Sequence, residues 1–177
     1  KYLGTIINGV EEEVPVMAAP AYELIPTSWF HFGYEIQEIR AENRTRFAVN
    51  YDMKDFPDTT KNGMLDPILA LPAEFIFTQG FKCLGIMEAK KAVSSQSNKL
   101  KSVRDKAGHQ LEELEQAEGY LSTGELAFGE YHGALTVYGD TQKKAVDAGT
   151  EVTTCFLAQC GTRFVKATAS APYTWMV

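Results

Sequence analysis

Arg46-Phe47-Ala48-Val49-Asn50-Tyr51-Asp52-Met53 sets apolar residues at 47, 49, 51 and 53 against small or polar ones at 48, 50 and 52. This two-residue period is that of a strand buried on one face. Downstream, Pro57, Asp58 and Thr59-Thr60 punctuate the chain, and Met64, Leu65, Ile68, Leu69 and Leu71 then recur at helical spacing until Pro72 stops the turn. Glu74-Phe75-Ile76-Phe77-Thr78 is rich in aromatic and β-branched residues and ends at Gly80, which predicts a second strand.

Farther along, Val93, Leu100, Ala107, Leu111, Leu114, Glu118 and Leu121 keep close to the ~3.5-residue seam of paired helices. One long helix or a helical hairpin is expected over about 83–121. After Gly124 the run up to Tyr138 reads as a strand, Asp140 or Thr141 offers an N-cap for a helix continuing to Gln159, and Gly161 is placed to stop it. Thr162 to Ala169 alternates again and predicts a last strand. The order strand, helix, strand, helical excursion, strand, helix, strand implies an α+β fold: a ferredoxin-like split βαβ sheet with a long helical (rod or hairpin) insertion. Before it, Pro15, Pro20 and Pro26 interrupt any helix, so residues 1–40 read as an irregular opening segment with short strands. Residues 41–177 then form the α+β domain, with its arm at about 83–121.

The chain has 177 residues, 45% hydrophobic and 23% charged, with a mean hydropathy of -0.20, which describes a soluble globular protein. Seventeen Lys and Arg against 23 Asp and Glu give a net charge of -6, which provides no general attraction to nucleic acid or anionic lipid. The apolar runs 64–71 and 73–77 fall short of the ~20 residues that span a bilayer. Lys1 rather than Met opens the chain and Val177 closes it directly after Tyr173-Thr174-Trp175-Met176, so it reads as a fragment. Cys83, Cys155 and Cys160 have no CxxC spacing, which favours a reducing compartment.

Charge on the helical segment is segregated. Lys82, Lys90, Lys91, Lys99, Lys101, Arg104 and Lys106 face only Glu88 and Asp105 in the first half, whereas Glu112, Glu113, Glu115, Glu118, Glu125 and Glu130 occupy the second half without a Lys or Arg. An antiparallel partner of the same kind, in this chain or in a second copy, would set basic against acidic along the contact.

The residues hold no GxxxxGK[ST], and Gly119, Gly124 and Gly129 are too dispersed to cradle a phosphate. GxGxxG, HExxH, GxSxG and EF-hand loops are also missing from the sequence. Cys155 and Cys160 are five apart on a predicted helix, which turns their thiols about 140° from one another. A nucleophile built from Cys160, His132 and Asp140 can be written down, but no spacing compels it. His109 with Glu112 or Glu113 could hold a metal only if a second helix supplied ligands. Asp52, Asp55 and Asp58 lack the Gly turn and terminal Glu of a calcium loop, and Glu11-Glu12-Glu13 is read as a solvated turn. Trp29, Phe30, Phe32 and Tyr34 form an aromatic cluster suited to a core or an interface, with no basic groove to make it a base-stacking platform. No catalytic, cofactor-binding or metal-binding residue is assigned.

Phe128-Gly129-Glu130-Tyr131-His132 leading to Tyr138-Gly139-Asp140 resembles the amino-terminal region of the CagE/TrbE/VirB family of type IV secretion ATPases. Ordered matches accompany it at Gly63-Met64-Leu65-Asp66, Leu71-Pro72-Ala73-Glu74, Thr78-Gln79-Gly80-Phe81, Asp105-Lys106-Ala107, Gln110, Glu113-Leu114, Ala117 and Trp175. Gly80 stands where the family pattern has a small polar residue. The resemblance covers roughly Phe30 to the C-terminus and implies a non-catalytic docking and assembly domain of a conjugation or effector-delivery ATPase. ATP and Mg would belong to the full-length protein, whose P-loop would lie beyond Val177, and none to this fragment. Implied partners are the inner-membrane components of the secretion apparatus, with self-association of the full-length protein and a location at the cytoplasmic face of the bacterial inner membrane. The surfaces expected to carry the contacts are the arm, through Lys99, Lys101, Arg104, Glu112 and Glu115, and the aromatic edge near Trp29. The alternatives are a stand-alone thiol enzyme using Cys160 and a structural oligomerisation module.

Overall fold

A computed structural model describes residues 2–11, 18–57, 59–102, 108–124 and 127–176, with the side chains of residues 2, 100–102, 108–112 and 115 left undescribed. The helices are α1 (Tyr2–Asn8), α2 (Ala21–Leu24), α3 (Asp66–Leu69), α4 (Ile86–Ser102), α5 (Gly108–Thr123), α6 (Gln142–Cys160) and α7 (Ala171–Met176). The strands are β1 (Trp29–Phe32), β2 (Gln37–Arg40), β3 (Thr45–Asp55), β4 (Phe75–Cys83), β5 (Gly129–Gly139) and β6 (Arg163–Lys166). They make one α+β fold around a six-stranded sheet ordered β1-β2-β3-β5-β4, with β6 also on β3.

The alternation at 46–53 produces the central strand. Ala48 pairs with Gln37 of β2 on one side and Tyr138 of β5 on the other, and Tyr51 pairs with Leu135 of β5 and Lys166 of β6. β2 and β6 therefore follow one another along one edge of β3 while β5 occupies the other, all antiparallel to it. On one face, Val49, Tyr51, Leu135 and Val137 meet Ile68 of α3 and the stripe Ala145, Val152, Phe156 and Cys160 of α6. Phe77, Phe156 and Phe164 close this core edge to face, with centroids 4.9 to 5.8 Å apart. Helix α6 has the predicted boundaries: the Thr141 side chain accepts from the Lys144 N–H, and Gly161 at φ 69 provides the left-handed stop.

The opposite face gathers Ile39, Ala48 and Tyr138 with Phe30, Ile76 and Trp175. Neither helix on this side follows from periodicity. In α1, buried Asn8 donates to Ile25 O at 2.7 Å and accepts from Thr27 N at 2.8 Å; in α7, Thr174 donates to Asp52 at 2.7 Å. Between them runs a buried relay in which Thr136 donates to Asn50 and Asn50 to Gln37.

The chain divides into two compact units, residues 1–79 with 133–177, and residues 80–132. Strands β4 and β5 each contribute to both. Strand β4 passes Gly80, where a stop is predicted, and continues to Cys83. Gly80 does not take the positive φ of a turning glycine, so it continues the strand. The predicted helix at 64–71 condenses to the four residues of α3 behind a turn. Where a rod or hairpin is expected over 83–121, α4 and α5 appear as separate helices packed on each other.

Candidate interaction surfaces

In the unit of residues 80–132, α4 buries Ala89, Val93 and Ser97, spaced four apart so that they share one face, and α5 buries Leu121. The exposed positions of α4 include Lys91 and Lys99, and those of α5 include Glu113. Lys82 lies 3.6 Å from Glu130 and 3.9 Å from Glu88. Basic α4 and acidic α5 are thus each other's packing partners in one chain. Of the residues expected to carry contacts on this arm, Lys99 is exposed on α4. Lys101, Glu112 and Glu115 sit on α4 and α5 with side chains outside the description, and Arg104 lies outside the described residues altogether. Phe81, Ile86 and Met87 are exposed beside the basic start of α4, an apolar group the charge pattern does not announce.

Trp29 opens β1 and is 81% exposed, and Tyr34 in the following turn is 78% exposed. Their neighbour Phe30 turns the other way and packs on Trp175, with centroids 5.3 Å apart. The aromatic cluster therefore divides between core and surface.

Two of the segments behind the family resemblance, 71–74 and 138–140, meet in the unit of residues 1–79 and 133–177. Arg46, with a side chain 4% exposed, donates to both carboxylate oxygens of Glu74 at 2.8 and 2.6 Å and to Gly9 O at 2.7 Å. Its guanidinium stands 5.0 Å from the ring centroid of Tyr138, and Glu74 O accepts the Tyr138 N–H. Leu71-Pro72-Ala73-Glu74 and Tyr138-Gly139-Asp140 thus meet at a single buried cation. Next to it, Arg44 donates to Asp140; that hydrogen bond holds the Asp140 carboxyl below the usual range, with the Arg44 charge assisting. A groove of about 380 Å³ runs past Arg44, Arg46, Glu74, Asp140, Lys144 and Asp147. It does not fit a triphosphate with its metal: Arg46 is committed to Glu74 and Arg44 to Asp140, and carboxylates alternate with cations along the walls. No group of three metal-ligating side chains occurs among the described residues.

Cys160 is buried and donates its thiol to Met64 O at 3.2 Å, and burial, with Cys155 adding, pushes the thiol's pKa up. That is the environment of a packing cysteine. Asp140 is engaged by Arg44, and His132 is exposed on β5.

Arg46 is the residue that sequence reasoning passes over. In the alternating strand it stands with Ala48, Asn50 and Asp52 on the face read as small and polar, and its partner is 28 positions away. No helix among the described residues is long and apolar enough to cross a membrane.

An α+β region with a six-stranded sheet and a packed pair of helices is the class these features define. Across residues 1–172 the sequence matches the model of the CagE, TrbE, VirB family, a component of the type IV transporter system. The type IV secretion system protein virB4 of Brucella abortus is 29% identical over 140 residues, covering 79% of this chain and 17% of the relative. That of Bartonella quintana is 30% identical over 147 residues, covering 83% and 19%. Type IV secretion system protein PtlC of Bordetella pertussis is 31% identical over 134 residues, covering 76% and 16%. The chain belongs to the CagE, TrbE, VirB family, and the matched region spans less than a fifth of the length of these curated relatives.

Proposed function

We propose that this chain is a non-catalytic docking and assembly region of a type IV secretion ATPase. In this reading it anchors the motor to inner-membrane components of an apparatus for pilus biogenesis and substrate translocation, at the cytoplasmic face of the membrane. The family match over residues 1–172, together with alignments that cover 16–19% of each relative, carries the reading. ATP and Mg would be held by the remainder of the protein, since these residues contain no GxxxxGK[ST]. The ribbon order β6-β3-β5-β4, with β3-α3-β4 and β5-α6-β6 as its halves, supports a ferredoxin-like split βαβ frame into which α4 and α5 are inserted. The frame would begin near residue 41. Exposed Lys91, Lys99, Ile86 and Met87 on α4 support the arm as the contact surface for secretion components.

The test is capture of purified inner-membrane subunits of the same secretion machine by the chain and by a variant carrying Lys99→Glu, Lys101→Glu and Arg104→Glu. Charge reversal on the arm should lower capture by roughly tenfold or more and make the remainder less salt-sensitive. Unchanged capture removes the arm from the reading.

A further inference from the structure

We propose that the outer edge of β1 pairs antiparallel with the same edge of a second copy of this chain, about a two-fold axis through His31. The inference goes beyond docking to secretion components and needs none of them.

Strand β1 pairs with β2 from Trp29↔Arg40 to Phe32↔Gln37, and among the described residues no strand lies on its other side. Gly33 N–H donates to Ile36 O at 2.9 Å, which makes 33 and 36 a hydrogen-bonded pair closing the hairpin. Antiparallel alternation then makes 32/37 and 30/39 the non-bonded pairs. The N–H and C=O of Phe30 and Phe32 therefore point outward to the open edge.

Protein edges are ordinarily blunted by Lys, Pro, a bulge or an inward-pointing charge. Thr27-Ser28-Trp29-Phe30-His31-Phe32-Gly33-Tyr34 has no Lys, Arg, Asp, Glu or Pro, and the β1–β2 register runs without a shift. In a chain of net charge -6, this neutral edge can face its own copy without like-charge repulsion. A strand from another protein would find no charge here to select it.

The register is self-complementary. With the axis on His31, outward-facing Phe30 stands opposite outward-facing Phe32 of the second copy and Phe32 opposite its Phe30, so each pair exchanges both backbone hydrogen bonds. The same arrangement sets Trp29 opposite Gly33 of the second copy, where no side chain obstructs the indole. A two-fold normal to the sheet keeps like faces together, so Phe30 and Phe32 make cross-strand aromatic pairs on the Trp175 side. On the other side exposed Trp29 loses water contact. The strand has four residues, so the dimer is weak and its formation depends on concentration.

Sedimentation equilibrium of the chain alone, up to millimolar concentration, tests this together with hydrogen exchange at Phe30 and Phe32. The expected mass rises from 19.6 kDa toward the dimer as those two amides become protected. His31→Lys and His31→Glu, at an exposed position and checked for folding by circular dichroism, should each weaken association by roughly tenfold or more. Mixing them should restore it, because Lys then faces Glu across the axis. A chain that stays monomeric throughout with both amides exchanging freely overturns the proposal, as does association unaffected by either charge or a mixture that fails to recover. The docking reading is untouched by those failures, since its readout is capture of secretion subunits.

Discussion

Tyr138 holds its ring between Arg46, 5.0 Å from the centroid, and Trp175, 6.0 Å away in T-shaped contact, while its buried hydroxyl has no partner among the described residues. Burial pushes this phenol well above its ordinary value; nearby Arg46 opposes the rise and Glu74 adds to it. Tyr51 is pushed up to about 12, chiefly by burial and further by Glu35. A pKa raised on folding leaves stability intact below the unfolded value, about 10 for tyrosine, and removes it as pH climbs toward the folded value. Stability should therefore fall from about pH 10 upward, because the unfolded chain loses protons that the folded one keeps. Tyr138→Phe retains both ring contacts and deletes the orphan hydroxyl. In urea denaturation at neutral pH it should gain about 1 kcal/mol, and its alkaline loss should be shallower than that of the parent. A loss of stability at neutral pH would mean that the hydroxyl has a partner after all.

Helix α6 shows at the scale of an element how tightly the sheet is covered. A Cβ on Gly149 would run into the Tyr51 side chain, meeting the hydroxyl first and the ring carbon Cζ at 3.0 Å. Gly149→Ala should gain helix propensity of ~1 kcal/mol yet still lose on balance, by about 1–3 kcal/mol, through overpacking. Tyr51→Phe should recover part of that loss, so the double variant is more stable than the two single changes predict by addition; strict additivity in thermal unfolding would dismiss the clash.

Helix α6 was also the most legible element, since a capping Thr141, an apolar stripe and a terminal Gly161 are all local signals. β3 and β6 were legible through alternation, and β5 through its long aromatic and β-branched run. Short α1 and α7 were not, because helices of seven and six residues depend on tertiary anchors such as Asn8 to Ile25 O and Thr174 to Asp52. The Arg46–Glu74 pair was equally hidden, since strand periodicity assigns a face but does not identify a partner across the fold.

Across the whole molecule, burial is uneven. The unit of residues 1–79 and 133–177 has its central strand covered on both faces, with Val49 and Ala48 both fully buried. In the unit of residues 80–132, the buried apolar side chains among the described residues are Ala89, Val93 and Leu121. Local opening follows the amount of apolar surface buried. Native-state hydrogen exchange should find β3, β5 from Gly133 onward, and α6 opening only with global unfolding, while α4 and α5 exchange through a smaller opening with a lower denaturant dependence. A common free energy for all these amides would contradict a separately stable arm.

The Arg46 cluster also bears on how such chains can change over generations. One guanidinium is tied to the backbone at Gly9, to Glu74 and to the ring of Tyr138. A lineage that lost the acid at 74 would keep a desolvated cation with no counter-charge, which is costlier than losing both. Changes at 46 and 74 are therefore expected to be inherited as compensating pairs, with an aromatic ring retained at 138 only while the cation persists. Lineages that have replaced the pair with apolar residues would be free to vary at all three positions.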